Sequence, residues 1–314
     1  MKVLITGATG LIGTELVKVC HQQGIDVHYL TTSKNKIEHQ NNYKGFHWDP
    51  DNGKIDPRCI EGVDTIINLA GATVAKRWTS SYKQEILESR LDTIDQLKQL
   101  LENNEHQVKN IVSASAIGIY EDSQTNYYSE ESNQLGTGFL ATVVKRWEGA
   151  LDAIEQMGVA VSKIRIGLVL SDKGGALTSM AKPIKYFVGA AFGDGQQWQS
   201  WIHINDLARM FLFLAEKETF GVFNGVAPNP VSNEKLTNEI GAVLKRPVFL
   251  PNIPRFFMRL VLGEMSQILF SSHRVSSKKI ESHGFHFNFK TLKPALQDLL
   301  QKNNGEETEL AYQE

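Results

Sequence analysis

The stretch MKVLITGATGLIG, residues 1–13, decides the fold of this chain. Its residues 3–5 form a short apolar run, which is typical of a strand buried on both faces of a sheet. Three glycines follow at a spacing of three, Gly7, Gly10 and Gly13, and an amphipathic helix pattern comes next. A helix N-terminus offers unpaired N–H groups, and glycines let the backbone approach a pyrophosphate. The stretch therefore predicts a dinucleotide site, because the alternative, a plain tight turn, would not need all three glycines.

Length, charge and cysteine content narrow the class of protein. The chain has 314 residues, enough for one large domain or two smaller ones, and its net charge of −2 argues against nucleic acid or an anionic membrane as main partner. No run approaches the roughly 20 apolar residues that span a bilayer, and the first apolar run is too short for a signal peptide. Two distant cysteines, Cys20 and Cys59, favour reduced thiols in a cytoplasmic protein. The histidine and cysteine spacings predict no metal site.

The residues after the second predicted strand, 25–31, bear on which dinucleotide binds. A fold that prefers NAD usually carries Asp or Glu there, which accepts hydrogen bonds from the ribose 2′-hydroxyl. This chain has Thr31, Thr32, Ser33 and Lys34, which provide hydroxyl groups and a cation but no carboxylate. We expect NADP(H), because that set tolerates a 2′-phosphate. NAD stays open, since the loop also lacks an arginine.

The order of predicted elements indicates an α/β fold with a doubly wound parallel sheet of the Rossmann type. After the first two strands we expect strands at 46–48, 63–72, 108–120 and 160–170, and helices at 80–103 and 139–157. This alternation predicts right-handed crossovers between parallel strands. Leu69, Ala70 and Gly71 end one strand with little bulk, so a cofactor could approach there at the carboxyl edge of the sheet. A tight turn after a core strand is the alternative.

Beyond residue 170 the character of the chain changes. Residues 171–200 have the composition of glycine- and tryptophan-rich loops. We then expect strands at 201–206, 221–224 and 284–289, and helices at 207–216, 233–244, 256–270, 276–282 and 294–300. These elements predict an NAD(P)-binding domain at 1–227 with loop insertions at 171–200, a small α+β C-terminal substrate lobe at 228–302, and a polar, frayed tail at 303–314.

Several segments together resemble the extended short-chain dehydrogenase/reductase superfamily: residues 6–13, 68–71, 113–115 and 201–206. More narrowly, the chain resembles an atypical branch of epimerase family proteins, which are described as nucleoside-diphosphate-sugar epimerases. The segments similar to that branch are 77–79, 89–90, 193–196, 224–228 and 284–287. The branch's C-terminal extension would cover about residues 247–300.

The resemblance implies an NADP-binding Rossmann domain with a small substrate lobe, and a homodimer through the long helices. Together with the patterns above, it assigns to the cofactor Gly7, Thr9, Gly10, Leu11, Ile12, Gly13, Thr31, Thr32, Ser33, Leu69, Ala70, Gly71, Glu85, Arg90 and Ser113. We expect Gln196, Trp198, Trp201 and His203 to wall the substrate pocket. Arg90 suits a phosphate, because a guanidinium forms fixed, charge-assisted hydrogen bonds. Thr32 stands where the branch often has an arginine, which weakens the case for NADP.

The catalytic pair that the resemblance implies is absent. Active members of the superfamily use Ser or Thr together with Y-x-x-x-K on the following helix, where the tyrosine exchanges a proton with the substrate. If Ser115 is the serine, that helix offers Phe139 in place of the tyrosine and Val143 in place of the lysine. A phenyl ring cannot donate a proton, so the usual mechanism fails. Ser115 and Tyr120, which closes the serine strand, are the candidate catalytic residues.

Lys145 and His203 could also carry a proton, but a role outside catalysis is favoured for each. Lys145 lies six positions past Phe139, about 240° round the helix and away from the missing lysine's face, so a solvated lysine is favoured. His203 titrates in the right range, but a structural role in its loop is favoured. The sequence leaves two functions open. One is an NADP-dependent epimerase or reductase acting on a small or nucleotide-linked substrate, and the other is an NADP(H)-binding sensor or interaction protein without turnover.

Overall fold

The structure is a computed structural model that describes residues 1–217 and 219–311, with side chains through residue 301. The strands are β1 Lys2–Thr6, β2 Asp26–Thr31, β3 His39–Gln40, β4 Tyr43–Asp49, β5 Lys54–Ile55, β6 Thr65–Asn68, β7 Asn110–Ala116, β8 Tyr127–Tyr128, β9 Ala160–Ile166, β10 Leu168–Leu170, β11 Trp198–Gln199, β12 Trp201–His203, β13 Gly221–Gly225, β14 Val231–Ser232 and β15 Arg274–Val275. The helices are α1 Leu11–Gln22, α2 Ser80–Glu102, α3 Phe139–Glu155, α4 Ala176–Lys185, α5 Ile204–Lys217, α6 Asn233–Leu244, α7 Arg255–Leu262, α8 Gln267–Phe270, α9 Lys278–Ser282 and α10 Leu292–Ala311.

A large, mostly parallel sheet organises the described residues. Its strand order is β13-β9-β7-β6-β1-β2-β4-β3, with β5 paired to β4. The strands next to β1 run parallel to it, and only β3 and β5 pair antiparallel with β4. The chain moves from β1 towards β4 and then returns to place β6 on the other side of β1. This reversal is the switch point at which open α/β sheets bind ligands, and it matches the predicted doubly wound class.

The chain divides into two compact units that are interleaved along the sequence. The sheet unit comprises residues 1–119, 134–166 and 207–223, and the lobe unit comprises 120–133, 167–206 and the residues from 224 onward. The sequence predicts contiguous ranges instead, so those domain boundaries stay a prediction. Of the tail predicted at 303–314, α10 covers residues up to 311, and 312–314 lie outside the described residues. Within the described ranges, no helix is long and apolar enough to cross a membrane.

Burial explains the sheet unit's strands. Val3, Leu4 and Ile5 of β1 are fully buried, as are Ile66 and Ile67 of the adjacent β6. Both faces of these strands are covered, which is why the sequence shows apolar runs there rather than alternation.

Three predicted elements of the lobe unit are wrong. Residues 171–200 are predicted as loops but contain helix α4, which begins after Gly175. The helix predicted at 256–270 is broken at Gly263, whose φ of 63° lies in the left-handed region and cannot continue an α-helix. The edge strand predicted at 284–289 does not form. Its phenylalanines at 285 and 287 are buried, and the next two backbone N–H groups donate to the carboxylate of Asp206 at 2.8 and 2.9 Å.

Candidate functional site

The glycine turn between β1 and α1 is shaped by close backbone contacts. Gly7 has a φ of 72°, in the left-handed region that favours glycine. A Cβ on Gly13 would lie 2.2 Å from the carbonyl oxygen of Gly7 and 2.6 Å from Cα of Ala8, so only glycine lets α1 seat against the turn. Gly10 differs from both, because a Cβ there would meet only the Gly7 oxygen at 3.2 Å.

Gly10 is the N-cap of α1, and no side chain caps this helix. The first turn of α1 also carries no acidic residue, so its own side chains place no negative charge at the positive end of the helix dipole. Of the other predicted contacts in the turn, Thr9 is exposed, while Leu11 and Ile12 are half-buried. An exposed, uncapped helix start without a Cβ in the way fits a pyrophosphate.

Replacing Gly13 with alanine is expected to destabilise the protein by about 1–3 kcal/mol, because the added methyl group has no room against backbone atoms. The matched control is Gly149→Ala in the middle of α3, where a Cβ would meet nothing within 4 Å. That change should stabilise the protein by about 0.5–1 kcal/mol through helix propensity. Urea unfolding measures both effects, and equal effects of the two variants would contradict the close packing at Gly13.

Polar side chains at the switch point join the carboxyl ends of β1 and β6 to the middle of the neighbouring strand β7. Thr6 of β1 pairs in register with Asn68 of β6, and Asn68 with Ser113 of β7. The Thr6 hydroxyl donates to Oδ1 of Asn68 at 2.7 Å, and Nδ2 of Asn68 donates to Oγ of Ser113 at 3.0 Å. The Thr6 oxygen also accepts the N–H groups of Leu69 and Ala70, each at 3.1 Å.

This network fixes the loop after β6, where the sequence predicts close approach of the cofactor. Ser113 is fully buried and held by Asn68, so its predicted contact with the cofactor stays a prediction. Sequence reasoning missed Thr6 and Asn68 as supporting residues. Buried polar side chains at adjoining strand ends need partners, and that requirement was the available signal.

Arg90 of α2 is a charged group without an acidic partner. Its Nη1 donates to the carbonyl oxygens of Ala72 and Ile86 at 3.2 and 2.7 Å, and its guanidinium lies 5.0 Å from the ring centroid of Trp147. Among the described residues no carboxylate forms an ion pair with it, and the buried indole N–H of Trp147 has no acceptor. Burial lowers the pKa of Arg90 to about 10, which leaves it charged at neutral pH. A Cβ on Gly71 would lie 3.2 Å from Cγ of Arg90, so Gly71 makes room for it.

The other predicted cofactor contacts differ in exposure. Thr31 is buried, and its hydroxyl oxygen accepts the N–H of Ser33 at 3.2 Å. Thr32 and Lys34 are exposed, and Ser33 is half-buried. Glu85 is exposed on α2. The side chains with surface to offer a ligand after β2 are therefore Thr32, Ser33 and Lys34.

The start of α3 is apolar where the superfamily has its tyrosine and lysine. Phe139 is the first residue of α3, and its ring meets that of Trp78 edge-on, with centroids 5.1 Å apart. The ammonium of Lys83 on α2 lies 5.2 Å from the Phe139 centroid. Val143 is buried. Lys145 is exposed and donates to a nearby loop carbonyl at 2.8 Å, as expected of a surface lysine.

Ser115 donates a hydrogen bond to a buried ion pair between Glu148 and Arg165, which the sequence does not predict. Its Oγ donates to Oε1 of Glu148 at 2.5 Å, and Arg165 of β9 donates to both carboxylate oxygens of Glu148 at 2.9 and 2.8 Å. All three residues are buried. The Ser115 hydroxyl is thus engaged by a carboxylate inside the sheet unit, and its catalytic role stays a prediction.

Tyr120, the other candidate catalytic residue, lies in the lobe unit. It is 1% exposed, its ring stacks on that of Tyr128 with centroids 5.0 Å apart, and its hydroxyl donates to Oδ1 of Asn224 at 2.8 Å. The hydroxyl group therefore has a buried acceptor within its own unit. A catalytic role for Tyr120 also stays a prediction.

The four residues predicted to line a substrate pocket all lie in the lobe unit. Two of them have accessible surface and two are buried. Gln196 is exposed, and Trp198 is half-buried with its indole N–H donated to a loop carbonyl at 2.9 Å. Trp201 is fully buried. His203 is 3% exposed, with Nε2 placed 3.3 Å from the Asp298 carboxylate. Trp201 and His203 thus have interior partners, and their place in a substrate pocket stays a prediction.

The Nδ1 atom of His203 accepts the N–H of Asn205 at 3.1 Å, which puts the neutral ring's proton on Nε2, towards Asp298. Its ring also stacks on that of Phe289, with centroids 4.0 Å apart. These contacts are those of the structural role that the sequence favours for this histidine.

Comparison with known proteins identifies the family. The model of the NAD dependent epimerase/dehydratase family matches residues 3–224, and a domain of unknown function, DUF1731, matches residues 253–299. An epimerase family protein of Staphylococcus aureus is 37% identical over 307 residues, covering 95% of this chain and 99% of the relative. One of Staphylococcus haemolyticus is 38% identical over 301 residues, covering 95% and 98%.

Two solved structures are also similar. Human epimerase family protein SDR39U1 (isoform 2), solved with NADPH, is 27% identical, with a TM-score of 0.82 over 96% of this chain and 99% of that one. A nucleoside-diphosphate sugar epimerase from Corynebacterium glutamicum is 29% identical, with a TM-score of 0.74 over 99% of this chain and 61% of that one. The Rossmann-type fold and the resemblance inferred from the sequence are confirmed. The chain belongs to the NAD dependent epimerase/dehydratase family.

Proposed function

We propose that this protein binds NADP(H) at the carboxyl edge of its sheet unit and is an epimerase- or reductase-type protein acting on a small or nucleotide-linked substrate. The single observation that carries the proposal is Arg90, a half-buried guanidinium with no carboxylate partner among the described residues and only two backbone carbonyls as acceptors. Burying such a charge is costly unless something negative compensates it, so a phosphate is the expected ligand. The NADPH in the structure of the human relative supports this choice of ligand.

Three groups of residues would hold the cofactor. The uncapped start of α1 at Gly10 would receive the pyrophosphate. Arg90, whose guanidinium lies 5.0 Å from the Trp147 ring centroid, would bind a phosphate oxygen. Thr32, Ser33 and Lys34 offer hydroxyl groups and a cation to a 2′-phosphate and repel nothing. When bound, the nicotinamide supplies or accepts a hydride.

The substrate class rests on the relatives. One structural relative is a nucleoside-diphosphate sugar epimerase, and this supports a nucleotide-linked substrate for the present chain. Gln196 and Trp198 of the lobe unit, which have accessible surface, are our candidates for contacting it. The proton carrier is not the usual tyrosine, because Phe139 and Val143 occupy the positions where the tyrosine and lysine are expected.

A second function has its own observation. The hydroxyls of Ser115 and Tyr120 both donate to buried acceptors, Glu148 and Asn224, so neither is poised to protonate a substrate. Together with Phe139 and Val143, this favours an NADP(H)-binding sensor or interaction protein that has lost turnover. Cofactor binding is common to both functions, and turnover separates them.

Titration of NADPH with the protein tests the shared proposal. We expect a change in NADPH fluorescence at micromolar cofactor, and no change would overturn both functions. Incubating the NADPH complex with a panel of carbonyl compounds, and the NADP+ complex with a panel of sugar nucleotides, then tests turnover. Oxidation of NADPH or epimerisation, lost in Ser115→Ala with cofactor binding retained, supports the enzyme. Tight NADPH binding without any turnover supports the sensor.

We also propose a cytoplasmic location and a homodimer through the long helices. Cys20 and Cys59 are both free and buried, and burial raises the pKa of each thiol to about 12. Unreactive, unpaired thiols are usual in a reducing compartment. Size-exclusion chromatography with light scattering would test the dimer, which should give about twice the chain mass of 35.1 kDa.

A further inference from the structure

Helix α7, at residues 255–262, has no buried residue. Phe256 and Leu260 are 74% and 77% exposed, and Phe257 and Val261 are 50% and 55% exposed. We call these four side chains the apolar face of α7. Large apolar side chains are rarely exposed in such a cluster without a partner.

The apolar face points away from the body of the lobe unit. At about 100° per residue, Phe256, Phe257, Leu260 and Val261 cover a stripe of roughly 140°. Met258 and Leu262 lie on the opposite side of the helix and are half-buried, so they are the residues that seat α7 on the unit. The stripe is therefore not a core face that happens to be partly open.

More exposed apolar surface precedes the helix in the same segment. Phe249 and Leu250 are 67% and 38% exposed. With about 200 Å² for a fully exposed aromatic residue, the four side chains of the apolar face offer on the order of 400 Å² of apolar surface. That is within the range of about 300–600 Å² for the largest patch on a typical monomer, which is often functional. The size and the continuity along one helix face indicate a binding surface.

The charge of this segment identifies what it would bind. Residues 245–262 contain Lys245, Arg246, Arg255 and Arg259 and no Asp or Glu. By helix geometry, Arg259 lies about 60° beyond the Phe256 edge of the apolar face, and Arg255 lies on the opposite side of the helix, next to Leu262. The Arg255 guanidinium packs 5.2 Å from the Phe270 centroid, and Arg259 is exposed. An apolar face in a segment that carries cations and no acid complements an anionic surface that has an apolar interior.

We propose that this segment docks the protein peripherally on an anionic lipid surface, with the apolar face of α7 in the acyl boundary and the cations at the headgroups. Amphipathic helices of this composition bind such membranes in the plane of the interface. A second copy of the chain is the less suitable occupant, because a self-complementary twofold contact through residues 245–262 would offer the cations of this segment no acidic partner. The net charge of −2, from which the sequence predicts that an anionic membrane is not the main partner, describes the whole chain, whereas docking depends on the positive local charge of residues 245–262, because screening limits each charge to about 10 Å.

Co-sedimentation of the full chain with lipid vesicles tests the proposal. The protein should pellet with phosphatidylcholine vesicles that contain phosphatidylserine and remain in solution with pure phosphatidylcholine. Phe256→Glu should weaken binding by roughly tenfold or more, because it places a carboxylate in the apolar face. Arg259→Glu should also weaken it, and more so at low salt.

The matched control is Phe220→Glu, which changes an exposed phenylalanine, 46% accessible, of the sheet unit and should leave vesicle binding unchanged. Unchanged thermal unfolding midpoints show that the variants are folded. Failure of the wild-type protein to pellet with the anionic vesicles, or equal binding by Phe256→Glu, would overturn the proposal. A wild-type dimer in light scattering that Phe256→Glu makes monomeric would assign the face to a second copy instead.

Discussion

Replacing Arg90 with methionine is expected to weaken NADPH binding by ~10- to 100-fold while changing the free energy of unfolding by less than about 1 kcal/mol. Charge-assisted hydrogen bonds to a phosphate are worth about 1.5–3 kcal/mol, which sets the loss of affinity. Most of the stability is retained because methionine still packs on Trp147, and the loss of donors to the Ala72 and Ile86 carbonyls is offset by removal of a half-buried charge that has no carboxylate partner among the described residues. NADPH fluorescence titration and urea unfolding measure the two effects.

Two further variants sharpen the result. Arg90→Lys keeps the charge but loses the fork of donors, so its affinity should lie between wild type and Arg90→Met. Arg146→Met changes an exposed arginine on α3 and should leave NADPH affinity unchanged. A loss of stability in Arg90→Met with unchanged NADPH affinity would make Arg90 a structural residue and remove the main support for the cofactor site.

Replacing Glu148 with alanine is expected to destabilise the protein by about 3–5 kcal/mol. The change leaves the Arg165 guanidinium buried in the sheet unit without the carboxylate that accepts two of its hydrogen bonds. An uncompensated buried charge costs far more than the net worth of the pair. Ser115→Ala removes only the hydroxyl that donates to Glu148 and should cost about 1 kcal/mol.

The control is the ion pair between Lys98 and Glu102 of α2, whose nitrogen and oxygen lie 3.1 Å apart. Both side chains are accessible, at 33% and 41%, so Glu102→Ala should cost less than about 1 kcal/mol. Urea unfolding of the three variants gives the ranking. Similar costs for Glu148→Ala and Glu102→Ala would show that burial does not set the strength of these pairs.

Elements with strong periodicity were predictable from the sequence, and those governed by distant contacts were not. Helix α6 has the predicted bounds, and α2 ends one residue before its predicted end. The alternating phenylalanines near residue 285 predict a strand, yet they alternate because Phe285 and Phe287 turn into the core. Helix α4 was missed because two glycines precede it and Pro183 lies within it.

The candidate site divides in the same way. The turn at Gly7–Gly13 follows from local sequence alone, because a strand, glycines and a helix are adjacent in the chain. The partners of Ser115 and Tyr120 do not, because Glu148 and Asn224 lie 33 and 104 residues further along the chain. The sequence shows which residues carry a hydroxyl group in a motif. Whether that group already donates a hydrogen bond to a protein acceptor depends on which residues the fold places next to it.

The C-terminal segment of the lobe unit supplies hydrogen-bond donors to the buried carboxylate of Asp206. This carboxylate is fully buried and accepts the backbone N–H groups of Asn288 and Phe289. A chain shortened before residue 288 would leave this anion without two of its donors at the start of α5. The segment that includes DUF1731 therefore cannot be removed without affecting the rest of the lobe unit. A fragment that ends at residue 224, with the first family match, would contain the Asp206 carboxylate without the two N–H groups that donate hydrogen bonds to it.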